Sequence, residues 1–451
     1  MYNIQYKYIR KNRYGGKMKK YIIEDFVASR KLAIIENGIL EKLIIEEKNK
    51  EIKLKNIYRG KVQKIIPTMN ACFIDIGEKK SGYLKISKNE KIQIGENILV
   101  QVIKEEKGEK RVKLSREIDF SGKYLVYIPS NTKISFSSKI KDKEEKGRLK
   151  NILLEASDGE KGFIVRTEAQ GASIEDFKKE IYELRKKYRK LIEDYKASFY
   201  PTLLYKDEGL VFSYIKENLT EEISNIIYVD GEIDRPLRNL LKSIDTKYLE
   251  VLKREKCIDV FEAYGVNNML KRFMYRNVWL KSGAYIVIDK TEAMTVIDVN
   301  TGSFKGKSEY EDTVYNVNLE AADEITRQIS MRDISGIIIV DFIDMQSKKH
   351  KKELLERLSS NFAEEGRPTK VHGYTKLGLV EISRMRKSKS FEQYLDSQNR
   401  ILDVVEEKVI YEKFHLGKYN INIDGEILNL EKISNKLEEI ELKYNVKLII
   451  S

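Results

Sequence analysis

Residues 57–116 break into five short strand-like runs, YRGKVQKII, ACFIDIG, SGYLKIS, NILVQVIKEE and RVKLSRE, separated by Pro67, Gly77, Gly95 and Gly108. Proline cannot donate to a sheet ladder and glycine favours turns, so each run is stopped before it can lengthen. Five short strands in such a span predict a small barrel of the OB type. Ahead of it, YIIEDFVASRKLAIIENGILEKLIIEE alternates strand runs around an Asn37-Gly38 hairpin signal.

Ser173 is a good N-cap with Asp176 in the first turn, and Ile174, Phe177, Ile181, Leu184, Tyr188 and Leu191 follow at helical spacing. A long amphipathic helix should therefore run from Ser173 and stop short of Pro201. Residues 208–282 read as an α/β segment closing with a helix around 266–280. Beyond Ala284, AYIVIDK and AMTVIDVN are strands joined by the polar turn Asp289–Glu292. A helix follows from about Glu309 to Arg332, then Gly336 opens the strand IIIVDF, a helix covers 349–364, and LGLVEISRMR is strand-rich. That strand–helix–strand order predicts a parallel α/β layer. The tail, 391–451, reads as helix, strand, an Asp424–Gly425 turn, helix and final strand.

At 451 residues the chain has room for two to four domains. The formal net charge of +13 favours a polyanion such as RNA, DNA or an anionic membrane, although a solvated Lys-rich surface gives the same figure. No apolar run is long enough to cross a bilayer, and the N-terminus lacks a secretory h-region. Cys72 and Cys257 lie far apart with no CxxC spacing, so no disulfide framework is expected, and a reducing cytoplasm suits the chain. Residues 1–17 carry Lys and Arg but no acid and no hydrophobic period, which fits a basic arm or a start at Met18 equally.

The chemistry-bearing candidates are mainly acids. Strand residues two apart face one side, so Asp298 and Asn300 project together. Asp341 ends a buried strand, and ligands in open α/β sheets collect at such carboxyl ends. Two converging carboxylates are enough to hold one Mg²⁺, an ion that keeps several waters. Strand-ending acids also serve simply as turn or cap residues. Phe73 and Tyr83 lie on adjacent barrel strands, where the rings either face outward to stack bases or fill the interior. Arg166-Thr167 offers a guanidinium beside a hydroxyl, suited to a terminal phosphate or to a plain surface pair. Lys376 precedes a strand on which alternation puts Arg384 and Arg386 on one side, where they either line a polyanion path or face solvent, and His350, His372 and His415 show no metal spacing.

Three stretches carry a family resemblance. TEAMTVIDVNTGSF (291–304) followed by NLEAADEITRQISMRDISGIIIVDFIDM (318–345) resembles the catalytic region of the ribonuclease E/G family. NIYRGKVQKIIPTMNACFIDIGEKKSGYL (56–84) is similar to that family's S1-type RNA-binding barrel, and GFIVRTEAQG (162–171) to its sensor of the RNA 5′ end. Order and spacing agree from about Met18 to Lys389. The resemblance implies that Asp298 and Asp341 hold the catalytic Mg²⁺, for which Mn²⁺ is a chemical alternative, with Asn300 at the scissile phosphate and Asp344 structural. It implies that Phe73, Tyr83, Lys104 and Lys110 contact RNA, and that Arg166, Thr167, Gly122 and Val126 form a pocket for a 5′-monophosphate.

The same resemblance implies a set of domains. These are an RNase H-like domain from 18–56 plus 210–282, an S1-type OB barrel at 57–119, and a 5′-sensor at 120–209. A DNase I-like catalytic domain at 283–390 and a small C-terminal domain at 391–451 complete the set, with 1–17 as an N-terminal extension. The expected activity is Mg-dependent endonucleolytic hydrolysis of single-stranded RNA, leaving 5′-phosphate and 3′-hydroxyl ends, in rRNA processing and mRNA decay in the cytoplasm.

Two departures stand out. The family arginine near Ser138–Lys139 is missing, and SKSFEQYLDSQ replaces the CxxC through which family members share a zinc ion. Zinc is therefore not expected, any homodimer must use a zinc-independent interface, and the lack of a long extension points to the ribonuclease G-like branch. The rival reading is a non-catalytic RNA-binding or ribosome-assembly protein.

Overall fold

The structure is a computed structural model describing residues 18–48, 52, 54–87, 91–104, 111–229, 231–257, 259–302, 310–365, 367–385, 394–395, 397–424 and 430–450. The chain divides into two compact units. The first is built from the described residues of Met1–Glu47, Glu222–Gly231 and Val251–Ser451, the second from those of Lys48–Glu221 and Glu232–Glu250.

In the first unit, β1 (Lys19–Asp25), β2 (Ser29–Glu36) and β3 (Ile39–Glu47) form an antiparallel meander. Asn37 and Gly38 both adopt positive φ at the β2–β3 turn, as the Asn-Gly signal requires.

The second unit contains a closed barrel. Its strands are β4 (Ile57–Ile66), β5 (Ala71–Asp75), β6 (Gly82–Lys85), β7 (Asn97–Lys104) and β8 (Lys113–Ser115), joined in the order β4-β5-β6-β8-β7 with β7 returning to β4. Tyr58, Val62, Cys72, Ile74, Leu84, Val100, Val102 and Leu114 fill its interior. A four-stranded sheet follows from β9 (Phe120–Ser121), β10 (Leu125–Tyr127), β11 (Ile134–Phe136) and, after helix α1 (Lys143–Ala156), β12 (Phe163–Val165). Helix α2 (Ile174–Ala197) begins at the expected Ser173, in a capping box with Asp176, and buries Phe177, Ile181, Leu184 and Leu191. Strand β13 (Thr202–Tyr205) then adds to β4 outside the barrel, and α3 (Leu210–Asn218) and α4 (Asp234–Ile244) complete this unit.

Back in the first unit, β14 (Ile223–Tyr228) runs parallel to β1, and β15 (Leu252–Arg254) extends that sheet to five strands. Short helices α5 (Val260–Ala263) and α6 (Val266–Arg272) follow. The helix expected around 266–280 thus ends at Arg272, and 277–279 instead forms strand β16 (Asn277–Trp279). A β-branched and an aromatic residue there suit a pleated surface better than a helix.

Next come β17 (Tyr285–Lys290), β18 (Met294–Asn300), α7 (Tyr310–Met331), β19 (Gly336–Asp341), α8 (Lys348–Glu365), β20 (Thr369–Tyr374) and β21 (Val380–Arg384). Their sheet order is β16-β17-β18-β19-β21-β20. Only β18–β19 is parallel, and the other pairs are antiparallel. The expectation of a parallel layer is corrected accordingly. The hairpins β17–β18 and β20–β21 have connections too short for a crossover; the α7 segment returns β19 beside β18 in parallel, whereas the α8 segment carries β20 past the place that β21 takes, so it adds no second parallel pair. Both helices cover the face carrying Ile286, Ile297, Val299, Ile338, Val340 and Ile382.

In the tail, α9 (Gln398–Leu416), β22 (Asn420–Ile423), α10 (Leu430–Tyr444) and β23 (Lys447–Ile450) follow the expected order, with a parallel β22–β23 pair. Asp424 is described, and Gly425 lies outside the described residues.

Candidate active site

The β18–β19 register sets Asp298 directly beside Asp341 at the carboxyl ends of the two parallel strands. In β18, Thr295, Ile297 and Val299 point into the core, which turns Asp298 and Asn300 to the open face. In β19, Ile338 and Val340 do the same, leaving Asp341 exposed. The Asn300 amide donates to Asp298 Oδ2 at 2.7 Å.

Partial burial, then the charges of Asp298 and Asp344, push the Asp341 carboxyl above the usual aspartate range. Asp344, read from sequence as structural, is exposed and acts on Asp341 through its charge. Among the described residues no basic side chain pairs with Asp298 or Asp341, so their repulsion stands uncompensated by protein cations. That donor set fits a hard divalent cation: two neighbouring carboxylate residues, oxygen ligands, and open space for water. Among the described residues no group of three or more His, Cys, Asp and Glu comes together as a cage, so an ion here would keep several waters.

On the barrel, the register joins one outward row. Lys64 pairs with Phe73, Phe73 with Tyr83, Tyr83 with Lys113, and Lys113 with Lys104. Residues directly opposite share a face, so both rings stand outside the core with their centroids 6.3 Å apart, edge to face. Lys64, Lys104 and Lys113 are exposed, whereas Lys110 lies outside the described residues. Arg111 was missed at the sequence level. Its guanidinium lies 4.9 Å from the Phe73 ring centroid and donates to the Ser81 carbonyl. Lys64 and Lys113 were also missed: alternation with buried Leu114 marks Lys113 as outward, whereas Lys64, two residues past buried Val62, faces outward only because the strand register shifts between them.

Arg166 follows β12, and its Nη1 donates to the Gly122 carbonyl and to Glu217, both at 2.9 Å. Glu168 lies 3.4 Å from its Nε. Thr167 Oγ1 is 2.9 Å from Ser137 Oγ. Val126 pairs with Ile164 on one side and Ser121 on the other. The structure thus brings Arg166 to Gly122, with carboxylates around the guanidinium that no sequence pattern announced. Glu180 of α2 accepts backbone N–H groups from Lys123, Tyr124 and Leu125, which fixes the turn after Gly122. A Cβ on Gly122 would lie 2.2 Å from the Glu180 carboxylate, so any larger residue there has to displace that carboxylate from its N–H donors. Ser138 and Lys139 are exposed.

Arg384 corrects an expectation. It is neither a solvent-facing nor a path-lining residue but is buried, donating to the Ile334 carbonyl at 2.7 Å and to Asp333 at 3.2 Å. It alternates in phase with buried Val380 and Ile382. Lys376 sits exposed in the β20–β21 turn, and Arg386 lies outside the described residues. The histidines are dispersed: His350 stacks on Tyr315, His372 bonds Ser383, and His415 stacks on Tyr411. Cys72 is buried in the barrel and Cys257 is half-buried. No described helix is long and apolar enough to cross a membrane.

Comparison with known proteins gives the family of the chain. The sequence model of the Ribonuclease E/G family matches residues 119–387. The chain is 33% identical over 393 residues to Ribonuclease G of Haemophilus influenzae, covering 81% of this chain and 79% of that protein. With Ribonuclease G of Escherichia coli K12 the identity is 32% over 391 residues, covering 81% and 79%. A Ribonuclease E/G-like protein of Pyropia yezoensis is 31% identical over 390 residues, covering 81% and 75%.

Proposed function

Since the chain belongs to the ribonuclease E/G family, we propose that it is an endoribonuclease hydrolysing single-stranded RNA to 5′-phosphate and 3′-hydroxyl ends at Asp298, Asn300 and Asp341. The observation that carries this reading is the Asp298–Asp341 pairing across the one parallel strand pair of its sheet. Asp298 and Asp341 would hold a Mg²⁺ ion, with Mn²⁺ as a chemical alternative. Such an ion supplies a water of lowered pKa and a positive charge facing the phosphate. Asn300, already bonded to Asp298, orients that carboxylate and keeps its own amide oxygen as an acceptor.

The row of Phe73 and Tyr83 between lysines offers base stacking with backbone charge contacts, a combination that favours single strands with little sequence preference. Arg166, Thr167, Gly122 and Val126 form the proposed 5′-phosphate pocket. An incoming phosphate has to compete with Glu217 and Glu168 for the guanidinium, which makes the sensor weaker than an unopposed arginine. Within this reading the first unit carries the DNase I-like part and the sheet of the RNase H-like part, and the second carries the S1-type barrel, the sensor and the α3 and α4 helices of the RNase H-like part. The work is rRNA processing and mRNA decay in the cytoplasm, and any homodimer pairs without zinc.

Asp298→Asn and Asp341→Asn should each abolish cleavage of a 5′-phosphorylated, A/U-rich oligonucleotide in Mg²⁺ while RNA affinity stays nearly intact. Cleavage unchanged in both variants rules out this site. Binding without cleavage by the parent chain favours the non-catalytic reading.

A further inference from the structure

Trp279 is the chain's single tryptophan, and it is 67% exposed on the open face of the sheet that carries the acid pair. The ladder fixes its place: Trp279 is opposite Tyr285 in β17, and Tyr285 is opposite Asn300 in β18. Opposite residues share a face, so the indole lies on the side to which Asn300 points. Two inter-strand steps separate their backbones, about 10 Å. The Trp279 and Tyr285 ring centroids are 5.0 Å apart and tilted by 51°, so the phenol props the indole from one side without covering it. The turn after β16 lies at the same end of the sheet. Gly302, two residues past Asn300, passes so near the Gly283 carbonyl that a Cβ there would come within 2.5 Å of it. That turn presents exposed Lys281.

We propose that Trp279, propped by Tyr285, is a stacking shelf for the base of a nucleotide flanking the bond cut at Asp298 and Asp341, with Lys281 taking the adjoining phosphate. The proposal rests on the endoribonuclease reading. A large aromatic left exposed beside an acid pair, with a cation two residues away, matches the chemistry of single-stranded nucleic acid, whose bases stack on any flat ring and whose backbone seeks ammonium groups.

Because Trp279 is the sole tryptophan, its fluorescence reports this contact without a label. The full chain in EDTA, titrated with a single-stranded 5′-phosphorylated A/U-rich RNA, should show saturable quenching that tracks the anisotropy of the same oligonucleotide carrying a dye. An abasic nucleotide beside the cut position should remove the quenching. With Mg²⁺, Trp279→Ala should lower kcat/KM by about ten- to a hundred-fold, mostly through KM, and Trp279→Tyr should restore most of it. The abasic substrate should slow the parent chain similarly and leave Trp279→Ala unaffected. RNA bound with unchanged fluorescence and full activity in Trp279→Ala would overturn the shelf. So would a change in solution mass in that variant, which marks the indole as a contact between copies. A parent chain that neither binds nor cuts RNA defeats the endoribonuclease reading instead.

Discussion

Lys31 in β2 is buried between Glu24 of β1 and Asp403 of α9, 2.8 Å from one carboxylate and 2.9 Å from the other. Asp403 also accepts from Ser29 at 2.5 Å and from Tyr394. One ammonium thus serves two buried acids. Burial opposes the Lys31 charge, but Glu24 and Asp403 outweigh it and hold the amine above the usual lysine range. Burial prevails at Glu24, lifting its carboxyl to about 7 against Lys31's opposing pull.

The folded state therefore keeps a proton on Glu24 that the unfolded chain releases near its ordinary 4.5. Between those values the folded form binds more protons, so stability falls as pH rises from 4.5 to about 7 and is level on either side. A displacement of this size corresponds to roughly 3 kcal/mol at 1.36 kcal/mol per unit. Glu24→Gln fixes the neutral form. Urea unfolding of parent and variant from pH 4 to 8 should show the variant gaining stability relative to the parent across that window, by on the order of 3 kcal/mol. Other titrating groups cancel in the difference. A difference that stays flat, or grows as pH falls, refutes the claim that burial dominates over Lys31.

Two further outcomes follow from buried contacts. Arg384→Ala should lower stability by on the order of 2–4 kcal/mol, because it strips the Ile334 carbonyl and one partner of Asp333. RNA affinity in a filter-binding assay should be unchanged at conditions where the variant is folded, and a loss of affinity there returns Arg384 to the RNA path. Gly122→Ala should push the Glu180 carboxylate off its three N–H donors and displace the carbonyl that Arg166 holds. Cleavage of 5′-monophosphorylated and 5′-hydroxyl substrates should then become nearly equal, while a preserved preference dissociates this turn from end sensing.

Local signals were read correctly wherever one residue type has one physical use. Ser173 with Asp176 could only open a helix, Asn37-Gly38 could only turn a hairpin, and Gly- and Pro-punctuated runs closed into a barrel. Pairings between distant segments were not legible. Asp403 and Lys31 are 372 positions apart, and nothing in either local pattern announces the other. Glu217 beside Arg166 is hidden for the same reason. Arg384 differs: its phase with Val380 and Ile382 marks the buried face, whereas its charge alone argues for solvent. Trp279 was read into a helix because three residues of strand are too few to show a period.

The mixed sheet also explains why the acid pair is where it is. In an antiparallel pair the carboxyl end of one strand meets the amino end of its neighbour, so two strand-terminal acids are held apart by the strand's length. Parallel pairing alone sets two carboxyl ends side by side, and it requires a crossover, which α7 supplies between β18 and β19. The flanking antiparallel strands then bring Tyr285 and Trp279 to the same face by simple hairpin register. A one-residue slip of β19 would turn Asp341 into the core and lift Val340 to the surface, exchanging a buried aliphatic for a buried charge. Burial of Ile338 and Val340 against α7 and α8 therefore fixes the register of the proposed catalytic carboxylates, and hydrophobic packing on one face of the sheet sets the chemistry of the other.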